Sequence, residues 1–360
     1  MNNIYYKKKW LKNIERVHPP KNEQKVDTRL RLHRAERIYS FPKNFFKNFI
    51  DTIIEEDVRY YPYIHDFKEK LASMNNLNSS NIFLNNGSSE NIKVFYDAFA
   101  IKNKNVIITN PCYPMHKLYA LFHQSNIISI DYNKNLNIDY NDILNNINID
   151  TCCIVIANPN SPLGSIINKS DIEKLIKKTF ELNIPILIDE AYIEYSDQES
   201  CSNLISKYSN LIISRTFSKA YGCAGLRIGY LMGSELIMEV INKFIPTYEI
   251  TSISAKFGLY ILENKKIVND YIKLIKDEKI ILNQLFKRYK IVNYLGNINT
   301  IYIKPNNLLK IKNYLIENDI LFRTRKLPYD DDEWLAIVLY PEFSKSELFK
   351  NIINIHDLKK

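Results

Sequence analysis

The chain has 360 residues, of which 46% are hydrophobic and 25% charged, and its formal net charge is +9. This length predicts a large domain with a smaller partner, and the composition is that of a globular protein with a sizeable core. No segment approaches eighteen consecutive apolar residues, and the lysine-rich first ten residues lack the apolar stretch of a signal peptide. We therefore expect a cytoplasmic protein without a membrane span.

The positive charge does not by itself indicate a nucleic-acid partner. The lysines are scattered among Asn and Ile and form no basic stripe interleaved with aromatic residues. We expect no nucleic-acid binding and attribute the charge to composition; a basic mouth that attracts anionic substrates is the alternative. Five cysteines without C-x-x-C spacing predict a reducing compartment, no disulfide framework and no zinc site.

Short apolar runs alternate with amphipathic segments through the middle of the chain. The segments 90–100 and 169–182 have apolar residues at helical spacing. The apolar runs are residues 81–84, 106–109, 127–130, 152–157, 184–188, 211–214 and 228–232. This alternation predicts the α/β class, with a largely parallel sheet covered by helices on both faces.

After about residue 250 the pattern changes. Residues 252–289 are predicted to be one long helical stretch. Strands are predicted near 300–303 and 335–339, with a helix over 308–318 between them. This order predicts a smaller α+β domain.

A short turn joins the first predicted strand to the first helix. Gly87 permits the tight turn, and Ser88 and Ser89 begin the helix with unpaired backbone N–H groups. Such a helix start binds phosphate, although a plain serine N-cap explains the same residues.

Two further residues follow the ends of predicted strands. Tyr113, in a Pro-Cys-Tyr-Pro turn, can stack on a ligand ring or pack beneath the loop. Asp189 ends a buried strand, where a carboxylate is costly unless it meets a cation. A helix N-cap or a structural ion pair is the alternative for Asp189.

The most informative stretch runs from Ser214 to Gly229. Lys219 follows Ser218 just after an apolar strand, and Arg227 comes eight residues later, beyond two glycines. Packing explains this combination poorly, whereas an aldehyde cofactor that carries a phosphate explains it well. Lys219 would bond to the aldehyde, and Ser218 and Arg227 would hold the phosphate.

In this order along the chain, the motifs resemble those of the pyridoxal-phosphate-dependent aminotransferases, class I/II, fold type I. Within them the chain looks most like the histidinol-phosphate aminotransferase group, from about residue 29 to 353. The resemblance implies pyridoxal 5'-phosphate as cofactor and a mostly parallel seven-stranded sheet in a large domain over 41–250. It also implies an N-terminal arm over 1–40 that joins a small C-terminal domain over 251–360.

The resemblance assigns roles to residues in the middle of the chain. Lys219 would bind the cofactor covalently and move a proton, Asp189 would pair with the pyridine nitrogen, and Tyr192 would contact the phenolic oxygen. Ser161, beside Asn160, stands where the family has the asparagine that contacts that oxygen. The implied cofactor-binding set is Gly87, Ser88, Ser89, Tyr113, Ser161, Asp189, Tyr192, Ser218, Lys219, Arg227 and, from a neighbouring subunit, Tyr61.

Tyr61 belongs to the sequence Tyr60-Tyr61-Pro62, which resembles the family's R-Y-P element. In that element the tyrosine reaches the cofactor phosphate of the neighbouring subunit. The resemblance therefore implies a homodimer with shared active sites, with ordinary surface tyrosines as the alternative.

The C-terminal third supplies the implied substrate-binding residues. Arg323, helped by Arg325, matches the arginine that contacts the substrate's distal phosphate or carboxylate. The family's next arginine, which grips the α-carboxylate, is absent, and Ala336 occupies its position. Arg34 completes the predicted substrate set. Its neighbours Arg31 and Arg37 are alternatives in an arm segment where Ala35 replaces the family's asparagine.

These residues lead to three hypotheses for function. The first is an aminotransferase that uses a small-molecule amino donor and keto acceptor, one of them a small phosphorylated amine or ketone. The second is a decarboxylase of a phosphorylated amino acid, similar to the threonine-phosphate decarboxylases. The third is a binding protein of the same fold without turnover, which the presence of Lys219, Asp189, Tyr192 and Arg227 argues against.

Overall fold

The structure is a computed structural model that describes residues 29–358 together with Trp10, Leu11 and Ile14. The predicted arm over 1–40 therefore lies largely outside the described residues, and its described part begins essentially at Arg29.

The larger of two sheets has seven strands. They are β1 Ile82–Asn86, β2 Asn105–Asn110, β3 Asn126–Asp131, β4 Thr151–Ala157, β5 Ile186–Asp189, β6 Leu211–Thr216 and β7 Ile228–Gly233. Their order is β1-β7-β6-β5-β4-β2-β3. Only β7 runs antiparallel to its neighbours β1 and β6, and the other pairs are parallel. The predicted mostly parallel seven-stranded sheet is confirmed, and each predicted apolar run forms one of its strands.

Helices cover both faces of this sheet, which explains why its strands are continuously apolar. On β5, Ile186 and Ile188 pack into one buried cluster and Leu187 packs into another on the opposite face. The surrounding helices are α1 Phe45–Ile50, α2 Glu56–Arg59, α3 His65–Met74, α4 Ser88–Phe99, α5 Pro114–Phe122, α6 Tyr140–Asn145, α7 Lys169–Glu181, α8 Glu235–Asn242 and α9 Ser252–Glu263.

The second sheet is antiparallel and has four strands, β8 Val292–Leu295, β9 Thr300–Lys304, β10 Arg323–Lys326 and β11 Glu333–Val338. Their order is β10-β11-β9-β8. The accompanying helices are α10 Lys265–Arg288, α11 Leu308–Glu317 and α12 Glu347–Asp357. The N-terminal arm joins this unit, because the Leu32 amide donates to the Leu321 carbonyl at 2.7 Å and the Val338 amide donates to the Leu32 carbonyl.

The helical stretch predicted over 252–289 is two helices, α9 and α10. They meet at Asn264, whose backbone leaves the helical region (φ −103°, ψ 33°) and whose side-chain amide donates to the Tyr260 carbonyl. Strand β8 was not predicted. Along these two helices, the residues of the apolar core up to Val268 pack with the first sheet, whereas those from Tyr271 onward pack with the second. The packing therefore changes from the first sheet to the second within α10.

Across the part of the chain that the structure describes, no helix is long and apolar enough to cross a membrane. The same residues contain no group of three His, Cys, Asp or Glu side chains that could hold a metal ion. All five cysteines are free thiols.

Candidate active site

Two connected cavities lie at the carboxyl ends of the parallel strands, between the two sheets. The inner cavity has a volume of about 150 Å³ and the outer one about 640 Å³. This is where open α/β sheets gather their ligands. Six predicted residues line both cavities, namely Tyr113, Ser161, Tyr192, Ser218, Lys219 and Arg227.

One end of the inner cavity is formed by the start of α4 and by Arg227. Ser88 and Ser89 line it at the helix N-terminus, where backbone N–H groups have no partner within the helix. Gly87 has a φ of 81°, and a Cβ atom there would collide with the Arg227 guanidinium. That guanidinium donates to the Ser218 hydroxyl at 3.3 Å and to the Asn86 carbonyl at 3.2 Å. A cation, a hydroxyl and a helix N-terminus thus converge, which is the chemistry that binds a phosphate.

Glycine also permits the close approach of β7 to this turn. A Cβ atom on Gly229 would collide with the backbone of Gly87 and Ser88. Arg227 itself adopts the left-handed backbone conformation, with φ 54°. For a residue with a side chain this costs on the order of 1 kcal/mol. The strained backbone conformation therefore occurs at the residue whose guanidinium lies against Gly87.

Lys219 lies between the inner and outer cavities. Its Nζ atom donates to the carbonyl of Arg34 at 3.1 Å and lies 5.3 Å from the centre of the Tyr192 ring. The arm of the chain thus contacts the lysine directly. Because Lys219 follows β6 and Tyr192 follows β5, the two neighbouring parallel strands bring these side chains together.

Asp189 is the last residue of β5 and points into the inner cavity. It is only 5% exposed, and its Oδ1 atom has no hydrogen-bond partner among the described residues. Its Oδ2 atom lies 3.7 Å from Nε2 of His116, whose ring is 1% exposed. A buried carboxylate oxygen without a partner is costly, so this site is suited to a cation that the protein itself does not supply.

The turn after β4 separates the roles of Asn160 and Ser161. The Asn160 side chain is fully buried, donates to the Pro111 carbonyl and accepts from the Leu163 amide, both at 3.0 Å. Ser161 instead lines both cavities. The second sheet supports the turn, because the Tyr302 hydroxyl donates to the Pro162 carbonyl at 2.9 Å.

The outer cavity contains the three arginines predicted for the substrate. Arg323 and Arg325 are alternate residues of β10 and therefore share one face of the strand, and Arg34 comes from the arm. The alternatives in the arm lie elsewhere. Arg31 forms an ion pair with Glu36 at 2.8 Å, and Arg37 donates to backbone carbonyls and packs over the Phe41 ring.

Ala336 lines the outer cavity on β11, directly opposite Arg323 on one side and Tyr302 on the other. The side chain is 5% exposed and packs in an apolar cluster with Trp334. The wall of the outer cavity at position 336 is therefore apolar.

Tyr61 does not line either cavity of its own chain. Its side chain is 75% exposed and stacks on Tyr248, with ring centres 3.8 Å apart.

Sequence reasoning missed His116 beside Asp189. The available signal was the spacing from Tyr113. His116 is three residues later, and residues three apart at the start of a helix lie on the same side of it. Sequence reasoning also missed Tyr302, Thr300 and Val338, which line the outer cavity and carry no motif.

The fold and the cavities define an α/β protein with a lysine, an unpartnered carboxylate and a phosphate-type cradle at one sheet edge. The profile of the aminotransferase class I and II family matches residues 38–325, and the chain belongs to this family. It is an enzyme that transfers amino groups, and the family's cofactor is pyridoxal 5'-phosphate.

Individual relatives agree with this family assignment. The chain is 32% identical over 302 residues to the histidinol-phosphate aminotransferase of Flavobacterium psychrophilum, which covers 80% of this chain and 86% of that protein. It is 29% identical over 324 residues to that of Pyrococcus furiosus, covering 89% and 91%. A crystal structure of the Sinorhizobium meliloti histidinol-phosphate aminotransferase in complex with pyridoxal-5'-phosphate covers 91% of this chain and 90% of its own, with TM-score 0.79 and 19% identity. This last likeness shows the fold.

Proposed function

We propose that the protein transfers an amino group between a keto acid and a small phosphorylated amine, in the manner of its histidinol-phosphate aminotransferase relatives. The observation that carries this proposal is the pair Arg323 and Arg325 on one face of β10, in a cavity that opens onto Lys219. Two guanidinium groups on one face suit a dianionic phosphate, which accepts several charge-assisted hydrogen bonds.

The inner cavity has the donors and acceptors that pyridoxal 5'-phosphate requires. Arg227, Ser218 and the start of α4 would hold its phosphate, the unpartnered Oδ1 of Asp189 would meet its pyridine nitrogen, and Tyr113 would pack on its ring. When bound, the cofactor supplies an electron sink that lets a proton leave the substrate carbon.

The protein's own groups would then handle protons and charges. Lys219 Nζ would first hold the cofactor covalently and then carry a proton between substrate carbon and cofactor carbon. Tyr192 and Ser161 would donate hydrogen bonds to the phenolic oxygen from the ends of two neighbouring strands, β5 and β4, and Asp189 would keep the ring nitrogen protonated. The arm residue Arg34 would close the cavity from the side of the second sheet.

The proposal is tested by following both substrates. Purified protein with pyridoxal 5'-phosphate is incubated with histidinol phosphate and a keto acid, and the new amino acid and any released carbon dioxide are measured. Amino transfer that depends on the phosphate group supports the proposal. Release of carbon dioxide from a phosphorylated amino acid without amino transfer would instead identify a decarboxylase.

Ala336→Arg is expected to tighten the binding of ordinary α-amino acid donors. An arginine at this position would stand in the outer cavity beside Arg323, where it could pair with an α-carboxylate. We expect the apparent KM for glutamate to fall by about tenfold or more. Steady-state kinetics with several amino acid donors measures the change.

Ala336→Met is the matched control, because it adds similar bulk without charge and should not lower the KM for glutamate. Wild-type protein that already binds glutamate tightly, together with no improvement in the Ala336→Arg variant, would show that the carboxylate site lies elsewhere.

We also propose a homodimer in which Tyr61 reaches the cofactor phosphate of the neighbouring subunit. The support is that this tyrosine is exposed, lies outside the cavities of its own chain and is held by stacking on Tyr248. An exposed aromatic pair is the kind of surface that a protein–protein interface covers.

Lys219→Ala and Tyr61→Ala are each expected to be inactive alone, and mixing the two proteins is expected to restore some activity if subunits exchange. In a mixed dimer, the chain that retains Lys219 receives an intact Tyr61 from its partner, so one of two sites is complete. Random subunit exchange at equal concentrations should recover about a quarter of wild-type activity. The two proteins are mixed and partially unfolded so that their subunits exchange, and activity is then measured over time.

The control mixes Lys219→Ala with Asp189→Asn. Both residues line the same cavity of one chain, so each site of a mixed dimer stays defective and no recovery is expected. Full activity in a monomer, checked by sedimentation at assay concentration, would contradict the dimer proposal.

Two broader assignments complete the proposal. The arm to residue 40 and the chain after α9 would form the small domain, and the middle of the chain would form the large one. Helix α9 belongs to the large domain in this proposal because Phe257 packs with the first sheet. The five free thiols favour a reducing compartment such as the cytoplasm.

A further inference from the structure

A buried group of charged side chains lies immediately beside the cofactor cavity but does not line it. Its centre is Glu190, which follows Asp189 directly and is 1% exposed. One Glu190 carboxylate oxygen accepts from the Cys201 amide and the other accepts from the Ser200 hydroxyl, both at 2.7 Å. The residue next to the pyridine-facing carboxylate is therefore anchored at both of its oxygens.

Arg215 connects this anchor to a second carboxylate. Its Nε atom lies 3.0 Å from Oε2 of Glu190 as an ion-pair contact without hydrogen-bond geometry, and its Nη1 atom donates to Oε1 of Glu194 at 2.8 Å. One guanidinium thus contacts both ends of the segment 190–194 and is hydrogen-bonded to the second of them. Tyr192, which lines the cavity, is in the middle of that segment.

The same arginine belongs to the strand that leads to the lysine. Arg215 is on β6 next to Ser214, which pairs with Asp189 across the parallel ladder, and Lys219 follows four residues later. The backbone adds to the connection, because the Glu190 amide donates to the Ser214 carbonyl at 2.9 Å. Asp189, Tyr192 and Lys219 are therefore linked through Arg215.

Stability alone is a poor reason for this arrangement. Two carboxylates and one guanidinium are removed from water, and burial raises the pKa of Glu194 while Arg215 opposes that shift. Buried ion pairs of this kind often contribute no more stability than apolar residues of similar size. What the planar guanidinium offers is a fixed geometry between two partners, which a lysine cannot reproduce.

We infer that Arg215 is a positioning residue that sets Asp189 and Tyr192 in register with Lys219. The inference rests on the proposed function, because it concerns the groups that would surround the cofactor. Arg215 touches neither cavity and acts through Glu190 and Glu194.

The test compares Arg215→Lys and Arg215→Gln with Glu278→Gln. Glu278 is a buried carboxylate on α10 that accepts from the Ser344 amide and lines neither cavity. Three quantities are measured for each variant: the dissociation constant of pyridoxal 5'-phosphate, the pH midpoint of the visible absorbance of the bound cofactor, and the thermal midpoint Tm.

Both Arg215 variants are expected to weaken cofactor binding by about tenfold, the size of effect that loss of a supporting residue causes at metal sites. They should also move the absorbance midpoint by about half a pH unit or more, because the groups around Lys219 are displaced. Arg215→Lys should retain more of the wild-type values than Arg215→Gln. Glu278→Gln should lower Tm and leave the other two quantities unchanged.

Arg215 variants with a lower Tm but wild-type cofactor affinity and midpoint would overturn the inference, since Arg215 would then serve stability alone. If both Arg215 variants fail to fold, the cofactor dissociation constant and the absorbance midpoint are measured on Glu194→Gln instead. This substitution removes the charge of one partner of Arg215 and keeps the shape of its side chain. Failure of the proposed function is distinguishable, since it would appear as a lack of amino transfer in the wild-type protein, whereas cofactor affinity and the absorbance midpoint decide the inference about Arg215.

Discussion

Lys219→Ala is expected to abolish the visible absorbance of the bound cofactor and to stop turnover. Lys219 lines both cavities, and in the proposed function its Nζ atom would serve twice, in covalent attachment and in proton transfer. We expect amino transfer to fall by a factor on the order of 10⁴ or more. Absorbance spectra and steady-state kinetics on purified protein measure both effects.

The fold should survive this change. Among the described residues, the Nζ atom has one hydrogen bond, to the Arg34 carbonyl, so the free energy of unfolding without cofactor should change by about 1 kcal/mol or less. Lys219→Arg is the matched control, because it keeps the positive charge but cannot bond covalently to an aldehyde. It should lose the absorbance band as completely as Lys219→Ala. A Lys219→Ala protein that kept both the band and the turnover would refute the assignment of this lysine.

The strands of the large sheet could be predicted because burial on both faces makes each of them a continuous apolar run. Cys153, Ile154, Val155 and Ile156 show this on β4, where successive side chains enter opposite clusters. Once strands are recognised as parallel, their carboxyl ends must share one edge of the sheet. The residues after them, Asp189 and Lys219 among them, are then expected to lie close together, as they do.

The contacts around the site could not be predicted in the same way, because they depend on side-chain direction and not on order along the chain. Arg31, Arg34 and Arg37 are equivalent in the sequence. In the structure only Arg34 lines the outer cavity, because Glu36 pairs with Arg31 and the carbonyls of Tyr39 and Ser40 accept from Arg37. These partners leave no periodic pattern in the sequence.

The junction of α9 and α10 was missed for a related reason. The apolar spacing continues across it, and neither glycine nor proline marks the break. The helix ends because Asn264 turns its side-chain amide to the Tyr260 carbonyl and its backbone out of the helical region. Asparagine is well suited to this, since its short amide competes with the helical hydrogen bonds.

Asp189→Asn is expected to lose most of the activity while the protein becomes more stable without cofactor. The substitution keeps the shape of the side chain but removes the charge that would pair with the pyridine nitrogen, and a neutral ring is a poor electron sink. We expect kcat to fall by about 10²- to 10⁴-fold. Single-turnover measurements with a saturating amino donor isolate this loss from substrate binding.

The stability gain follows from the unpartnered Oδ1 atom. A buried carboxylate without a hydrogen bond at this oxygen costs on the order of 1–3 kcal/mol, and a neutral amide in its place costs less. The free energy of unfolding of the cofactor-free variant should therefore rise, as at sites where function is maintained at the expense of stability. Denaturant titration with and without pyridoxal 5'-phosphate measures it.

A second aspartate–histidine pair provides the control. Asp97 lies 3.0 Å from Nε2 of His123 at a partly exposed position away from both cavities. There the histidine and Lys93 lower the pKa of Asp97 against the opposing effect of burial, so its ionised form is stabilised by the fold. Asp97→Asn should consequently leave kcat unchanged and reduce stability. If Asp189→Asn behaved in the same way, with near-normal rates and lower stability, Asp189 would be a structural residue like Asp97.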